Sequence, residues 1–189
     1  MAGAPRTREP RADARRNIER LLAAADAAFG QHGTDASLER IAREAGVAVG
    51  TLYGHFPNRH ALIAALLRTR HDTLFALGTD LLAEPDIGAA LGRWVRAVAD
   101  NAASYGGLAD VLTASLGDRE SEMHADCARI TELTGQLTRA AQTAGVLRPE
   151  VSVDDLVTLM SAAAWAHEHL SPASSERLIR FTLDGFRPA

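Results

Sequence analysis

Side chains suited to contact with nucleic acid are concentrated in residues 37–62, which read SLERIAREAGVAVGTLYGHFPNRHAL. The alternation of polar tips with small and apolar residues suits two short helices that meet at Gly46, where Ala42 and Ala45 allow a close crossing. Such a pair is a helix-turn-helix, whose second helix enters the major groove and offers backbone amides and a positive dipole end to phosphate. The stretch therefore predicts binding to double-stranded DNA.

Other chemically active side chains do not form a site in the sequence. His124 and Cys127 are three residues apart and suit one metal ion, but a third ligand is missing. His167 and His169 are two apart, so a helix places them on different faces. The chain has no G-x-S-x-G, H-E-x-x-H or P-loop motif, and no flavin, haem or nucleotide motif. We therefore expect no enzyme activity, no metal and no cofactor.

The charge distribution favours the N-terminal part as the DNA-binding part. The net charge of -4 argues against a protein that coats nucleic acid indiscriminately. Up to residue 60 the chain holds nine arginines and seven acidic residues, whereas the remainder holds 11 arginines and 17 acidic residues. The positive excess thus lies beside the predicted helix-turn-helix.

The remaining composition predicts a cytoplasmic protein with no membrane partner. The single cysteine excludes an intramolecular disulfide framework, and no apolar run reaches the roughly 20 residues that span a bilayer. Residues 1–16 are basic, contain proline and lack an apolar core segment, so they are typical of a disordered arm and not of a signal peptide.

Helical periodicity extends over almost the whole chain and predicts about nine helices and an all-α fold. We expect a basic arm at residues 1–11, a three-helix DNA-binding domain at 12–58 and a helical-bundle domain at 59–189. Predicted caps are Ser37, Asn58, Asp86 and Ser152, the last with Asp155 in a capping box. The predicted helices are 12–31, 37–46, 49–56, one that begins after Asn58, one that begins after Asp86, 108–116, 120–145, 152–170 and one that begins at Ser171.

The motif IAREAGV, followed by VGTLYGHFPNRHAL, resembles the DNA-binding signature of the TetR family of transcriptional regulators. The resemblance extends over residues 14–67. It implies a three-helix DNA-binding domain joined to a helical domain that binds a ligand and dimerises. It also implies that the protein acts as a repressor that a small molecule releases from a palindromic operator.

The resemblance assigns DNA-contacting roles residue by residue. Thr51, Tyr53 and His55 match positions that touch DNA backbone or bases, and Arg59 matches a lysine that anchors phosphate. Ala48 departs from the pattern, because a serine that would cap the recognition helix often stands there. We add the capping Ser37, Val49, which suits a thymine methyl group, and Gly50, which permits close approach.

These assignments have structural alternatives. Ile41, Leu52 and Phe56 fall on the apolar face and are expected to be core. Tyr53 also suits half-buried packing, and His55 suits a solvated surface position.

The C-terminal resemblance is weaker and rests on RPEVSVDDL and LDGFRP. Family architecture implies that the fifth and seventh helices, with parts of the fourth, sixth and eighth, line an effector pocket. The candidate lining residues, each of which also suits a core position, are Trp94, Tyr105, Met123, Cys127, Met160 and Trp165.

Small residues in the last two helices suit a close helix crossing, either inside one subunit or between two. The candidate interface residues are Ala163, Leu178 and Phe181. DNA geometry favours a homodimer, because two recognition helices about 34 Å apart are needed to use successive major grooves.

Two alternative functions remain open at this point. The first is an activator, or a regulator that no ligand controls, with the same fold. The second is a helical dimeric interaction protein that does not bind DNA.

Overall fold

The computed structural model describes residues 10–188, and all regular structure in this range is helical. The all-α class and the predicted number of helices are thus confirmed for the described part of the chain. The helices fall into two compact units that divide between Leu66 and Leu67. The helices are α1 (Pro10–His32), α2 (Leu38–Glu44), α3 (Val49–His55), α4 (Arg59–Leu81), α5 (Ile87–Ala102), α6 (Leu108–Gly117), α7 (His124–Thr143), α8 (Val153–His169) and α9 (Pro172–Gly185).

Most of the predicted basic arm, residues 1–11, lies outside the described residues. No helix within 10–188 combines the length and the apolarity needed to cross a membrane.

In the first unit, α2 contacts both α1 and α3. Phe29 of α1, Ile41 of α2 and Leu52 of α3 are completely buried. Because a helix of seven residues is unstable alone, the burial of Leu52, worth about 1.5–3 kcal/mol, is needed to hold α3 in place.

In the second unit, Trp94 of α5 lies at the centre of the core and has no exposed surface. Its indole Nε1 donates a 2.9 Å hydrogen bond to Thr134 Oγ1 on α7, which satisfies the polar group that burial removes from water. A Cβ added at Gly78 of α4 would lie 2.7 Å from the indole Cζ3. Glycine at this position therefore lets α4 approach the tryptophan closely.

The predicted caps are confirmed at the starts of α4, α5 and α8. Asn58 Oδ1 accepts from the Ala61 amide (2.8 Å), and Asp86 Oδ1 accepts from the Ala89 amide (2.9 Å). Ser152 and Asp155 form the capping box, with each side chain accepting from the other's backbone amide.

The start of α7 differs from the prediction, since the helix begins at His124 and not at residue 120. Asp118 Oδ1 accepts a 3.0 Å hydrogen bond from the Glu120 amide, and Ser121 Oγ donates to Ser115 Oγ (2.9 Å). These side-chain bonds offer the backbone a local alternative to the helix, which is why α7 starts one turn later.

Candidate functional site

The turn between α2 and α3 is built on a left-handed glycine. Gly46 has φ = 67°, a conformation that residues with a side chain rarely adopt. The amides of Gly46 and Val47 donate to the carbonyls of Arg43 and Ala42, at 3.1 and 3.0 Å, and so close the end of α2. The chain can then reverse and begin α3 within a few residues.

The outer face of α3 carries three of the predicted DNA-contacting residues. Val49 and Tyr53 are one helical turn apart and 42% and 43% exposed. A Cβ at Gly50 would meet no atom within 4 Å, so the helix surface is open there. We call Val49, Gly50 and Tyr53 the outer strip of α3. Thr51 and His55, on its flanks, are half-buried.

The start of α3 has no side-chain cap, because Ala48 stands at the N-cap position. The prediction made from this departure from the family pattern is thus confirmed.

Ser37 acts as the N-cap of α2. Its Oγ accepts a hydrogen bond from the Arg40 amide (3.2 Å) and donates one to Glu39 Oε2 (2.8 Å). The backbone amide of Glu39 itself, and then the Ser37 hydroxyl, lower the pKa of the Glu39 carboxyl. Glu39 thus keeps its negative charge at the exposed start of α2.

Arg59 makes contacts within the first unit that the sequence did not indicate. Its Nη1 donates to the carbonyl oxygens of Thr34 and Ala36, the latter at 2.6 Å. The guanidinium therefore ties the turn between α1 and α2 to the start of α4. Its match to a phosphate-anchoring lysine stays a prediction.

A cavity of about 60 Å³ lies among α5, α6, α7 and α8. We call it the effector cavity, for the role that we propose for it. Its lining is predominantly apolar and consists of Val98, Ala102, Ala109, Leu112, Thr113, Leu116, Cys127, Ile130, Thr131, Val157, Met160 and Ser161.

Of the six predicted pocket residues, Cys127 and Met160 line the effector cavity and the other four do not. Trp94 fills the core, and Met123 is completely buried at the start of α7. Tyr105 is buried, with the Arg70 guanidinium 5.0 Å from its ring centre. Trp165 is 50% exposed and stacks on His169 at 4.7 Å.

Side-chain size was thus a poor guide to this cavity, because Trp94, Met123 and Tyr105 are buried elsewhere and Trp165 is exposed. The lining residues on α6 are spaced three and four apart, and none of them was among the six predicted from the sequence. They are Ala109, Leu112, Thr113 and Leu116.

Cys127 is a thiol and not a thiolate at neutral pH. Burial, and then the neighbouring charge of Asp126, raise the pKa of Cys127 to about 11. Since the thiolate is the form that binds metal or attacks electrophiles, a chemical role of Cys127 is disfavoured. Among the described residues, no three His, Cys, Asp or Glu side chains come together as metal ligands.

The predicted interface residues on α8 and α9 lie in contrasting environments. Phe181 is 63% exposed and Leu178 is partly buried, whereas Ala163 has no exposed surface and packs inside the second unit. Ala163 therefore has nothing to offer a second subunit and is corrected to a core residue. Trp165 and Leu170, 50% and 64% exposed, add large apolar surface on α8 and at its C-terminal end.

Comparison with known proteins identifies both parts of the chain. Residues 86–188 match the C-terminal domain of SbtR-like transcriptional regulators, and residues 21–66 match the bacterial regulatory proteins of the tetR family. The chain belongs to the TetR family of transcriptional regulators. Curated proteins, in contrast, yielded no match.

Solved structures of TetR regulators are similar over nearly the full chain. One from Streptomyces coelicolor is 37% identical, with 91% of this chain and 99% of that chain covered and a TM-score of 0.63. One from Mycobacterium vanbaalenii is 33% identical, and the match covers 94% of this chain and 99% of that chain with a TM-score of 0.56. The ketosteroid regulator KstR2 of Mycobacterium tuberculosis, at 20% identity, covers 91% and 95% with a TM-score of 0.63 and shares the fold.

Membership of the TetR family makes the protein a DNA-binding transcriptional regulator and not an enzyme. The helix-turn-helix is the DNA-binding element, and α3 is its recognition helix. This result decides against the interaction protein without DNA binding.

Proposed function

We propose that the protein is a repressor that binds a palindromic operator as a homodimer and is released by a small uncharged molecule. The observation that carries the proposal is the outer strip of α3, where apolar, open and hydroxyl-bearing surface is presented together. Val49 would pack on a thymine methyl group, Gly50 would let the backbone approach, and Tyr53 would bond a phosphate or base edge. Thr51, His55, Ser37 and Arg59 complete the proposed contacts.

Dimerisation through α8 and α9 is supported by the apolar surface exposed there. Trp165, Leu170 and Phe181 are each at least half exposed, on α8, at its C-terminal end and on α9, and exposed large apolar side chains on packed helices suit an interface. A twofold axis through these helices would cover the patch with its own copy. In this proposal residues 12–58 form the DNA-binding domain, with Arg59 adding a phosphate contact at its border, and residues 59–189 form the domain that dimerises and binds the effector. The protein would act in the cytoplasm.

The chemistry of the effector follows from the cavity walls. None of the cavity-lining residues in the described part of the chain carries a charge. The hydroxyls of Thr113 and Thr131 already donate to the carbonyls of Ala109 (2.8 Å) and Cys127 (3.0 Å), so their oxygens are left as acceptors. A charged ligand would bury its charge unpaired, at a cost of several kcal/mol. We therefore propose a neutral, mainly apolar ligand that donates at most a few hydrogen bonds.

Selection of duplexes from random-sequence DNA by the full-length protein tests the first half of this proposal. We expect enrichment of inverted half-sites whose centres are about 10 base pairs, or a multiple of this, apart. Sedimentation of the DNA-free protein should give the mass of two chains. Enrichment of a single half-site by a monomer would contradict the proposal.

A thermal-shift screen of neutral and charged small molecules tests the second half. A neutral hit should bind the protein alone and weaken operator binding by about 5- to 150-fold, and operator should weaken hit binding by the same factor. Hits confined to anions or cations, or a hit that leaves operator affinity unchanged, would reject this part of the proposal.

A further inference from the structure

A completely buried histidine on α4 is hydrogen-bonded to two neighbouring helices at once. His71 Nδ1 lies 2.6 Å from Asp126 Oδ2 on α7, and His71 Nε2 lies 3.3 Å from Asn101 Nδ2 on α5. A carboxylate only accepts hydrogen bonds, so Nδ1 donates to Asp126. Nε2 is then free to accept from the Asn101 amide. A neutral imidazole in one tautomer satisfies both bonds.

Both partners of His71 adjoin the wall of the effector cavity. Asp126 immediately precedes Cys127 on α7, and Asn101 immediately precedes Ala102 on α5. Cys127 and Ala102 line the cavity. The same turns of α5 and α7 thus form part of the cavity wall on one side and hold His71 on another.

The cavity must enlarge before it can hold an effector. Its volume of about 60 Å³ is small beside the roughly 300–1,000 Å³ typical of ligand pockets. Movement of α7 by about 1 Å would lengthen the 2.6 Å bond to Asp126 beyond hydrogen-bond range. A smaller movement of α5 would break the 3.3 Å bond to Asn101, which is already long. Expansion of the cavity through movement of α5 or α7 therefore changes the surroundings of His71.

We propose that His71 is the positioning residue that couples the effector cavity to α4. Enlargement of the cavity shifts Asp126 and Asn101, and His71 transfers this shift to α4. This helix begins at Arg59, whose Nη1 holds the turn before α2. The inference rests on the proposed role of the cavity as the effector site, and it adds the residue through which the site acts.

A cavity-filling substitution serves as the probe, since the effector is unidentified. Ala109 lines the cavity from α6, which holds neither partner of His71. Ala109→Leu therefore fills part of the cavity without changing His71, Asp126 or Asn101. Ala114→Leu adds the same atoms at an exposed site on α6 and is the matched control. Operator affinity is measured with the full-length chain and a duplex selected from random DNA.

The double-mutant cycle combines Ala109→Leu with His71→Leu. We expect Ala109→Leu to weaken operator binding about tenfold in the native chain and less than about twofold in the His71→Leu chain. Ala114→Leu should change neither. Equal weakening by Ala109→Leu in both backgrounds would overturn the role of His71 alone. No weakening in the native chain would overturn the cavity as a control site, and the coupling with it.

A second background guards against misfolding of the His71→Leu chain. Asp126→Ala removes the partner on α7, whose side chain is 35% exposed and so tolerates truncation better. It should reduce the effect of Ala109→Leu in the same way. Thr134→Val breaks the buried bond between Trp94 of α5 and Thr134 of α7 but leaves both bonds of His71 in place, so it should leave the tenfold effect intact. Loss of the effect in Thr134→Val as well would show a general loss of packing and overturn the specific role of His71.

Discussion

The two units place their functional groups on opposite sides of their helices. In the first unit, the outer strip of α3 faces outward, and Leu52 on the inner face only anchors the helix. In the second unit, the proposed effector site lies inside the bundle, where the cavity shares its walls with the core. Substitutions in the outer strip should therefore change binding without changing stability, whereas substitutions around the cavity should change both.

The largest expected effect comes from placing a charge inside the second unit, compared with the same charge on its surface. Ala163→Glu buries a charge with no partner and should lower the free energy of unfolding by roughly 3–5 kcal/mol, or prevent folding. Phe181→Glu places the same charge on the exposed α9 surface and should separate the dimer while the subunit stays folded. Circular dichroism and sedimentation distinguish the two. A folded dimer in both variants would show that neither residue lies where we place it.

The next effect isolates the recognition helix. Tyr53→Ala should weaken operator binding by about 1–3 kcal/mol through loss of a hydrogen bond to charged phosphate, with a change in unfolding free energy within about 0.5 kcal/mol. Tyr53→Phe, which keeps the ring and loses only the hydroxyl, is the control and separates the bond from the packing. Gel-shift titration and urea denaturation measure the two quantities. If Tyr53→Ala lowered stability and left affinity intact, Tyr53 would be a packing residue.

Arg59 tests whether the first unit also has an internal positioning group. Arg59→Lys keeps the charge but is too short to place a donor where Nη1 reaches Thr34 and Ala36, so we expect a loss of roughly 0.5–1.5 kcal/mol in operator binding with an unchanged salt slope. Arg59→Ala should in addition reduce the slope of log K against log salt by about 0.9, the share of one phosphate. If Arg59→Lys bound operator with native affinity, the contacts of Arg59 with Thr34 and Ala36 would not contribute to operator binding, and the phosphate contact would be its only role.

The smallest effect concerns the capping box of α8. The Ser152 amide, and then the Ser152 hydroxyl, lower the pKa of Asp155 from its ordinary value of 3.8. A carboxyl whose pKa is lower in the folded state stabilises the protein above the unfolded-state pKa, and this stabilisation is lost as the pH falls through the folded-state value. Stability of the native chain should therefore drop below about pH 4 more than that of Asp155→Asn. Asp154→Asn, outside the box, is the control for thermal melts at each pH.

The contrast between the units also explains what the sequence could predict. The helix-turn-helix lies within one continuous stretch, so residue types at fixed spacing were sufficient to predict this element. The cavity is assembled from four helices and lined by aliphatic residues whose pattern is the same as that of any core. Trp94 was therefore taken for lining, and Ala163 for an interface residue, although Ala162 beside it is the exposed one.

Pairings between distant helices were likewise beyond the sequence. His71 and Asp126 are 55 residues apart and belong to no local motif. Helix caps, by contrast, depend on residues three positions apart, and were predicted correctly at Asn58, Asp86 and Ser152.

The buried thiol of Cys127 in the cavity wall gives the molecule a built-in probe of local opening. Cys127 is the only cysteine in the sequence, so a thiol reagent has a single target. Its burial and raised pKa make reaction in the closed form slow, and labelling must then wait for the wall to open. The labelling rate thus reports how readily the bundle opens at this point, as amide hydrogen exchange reports local unfolding. A ligand bound against the sulfur would lower the labelling rate of Cys127 as its occupancy rises.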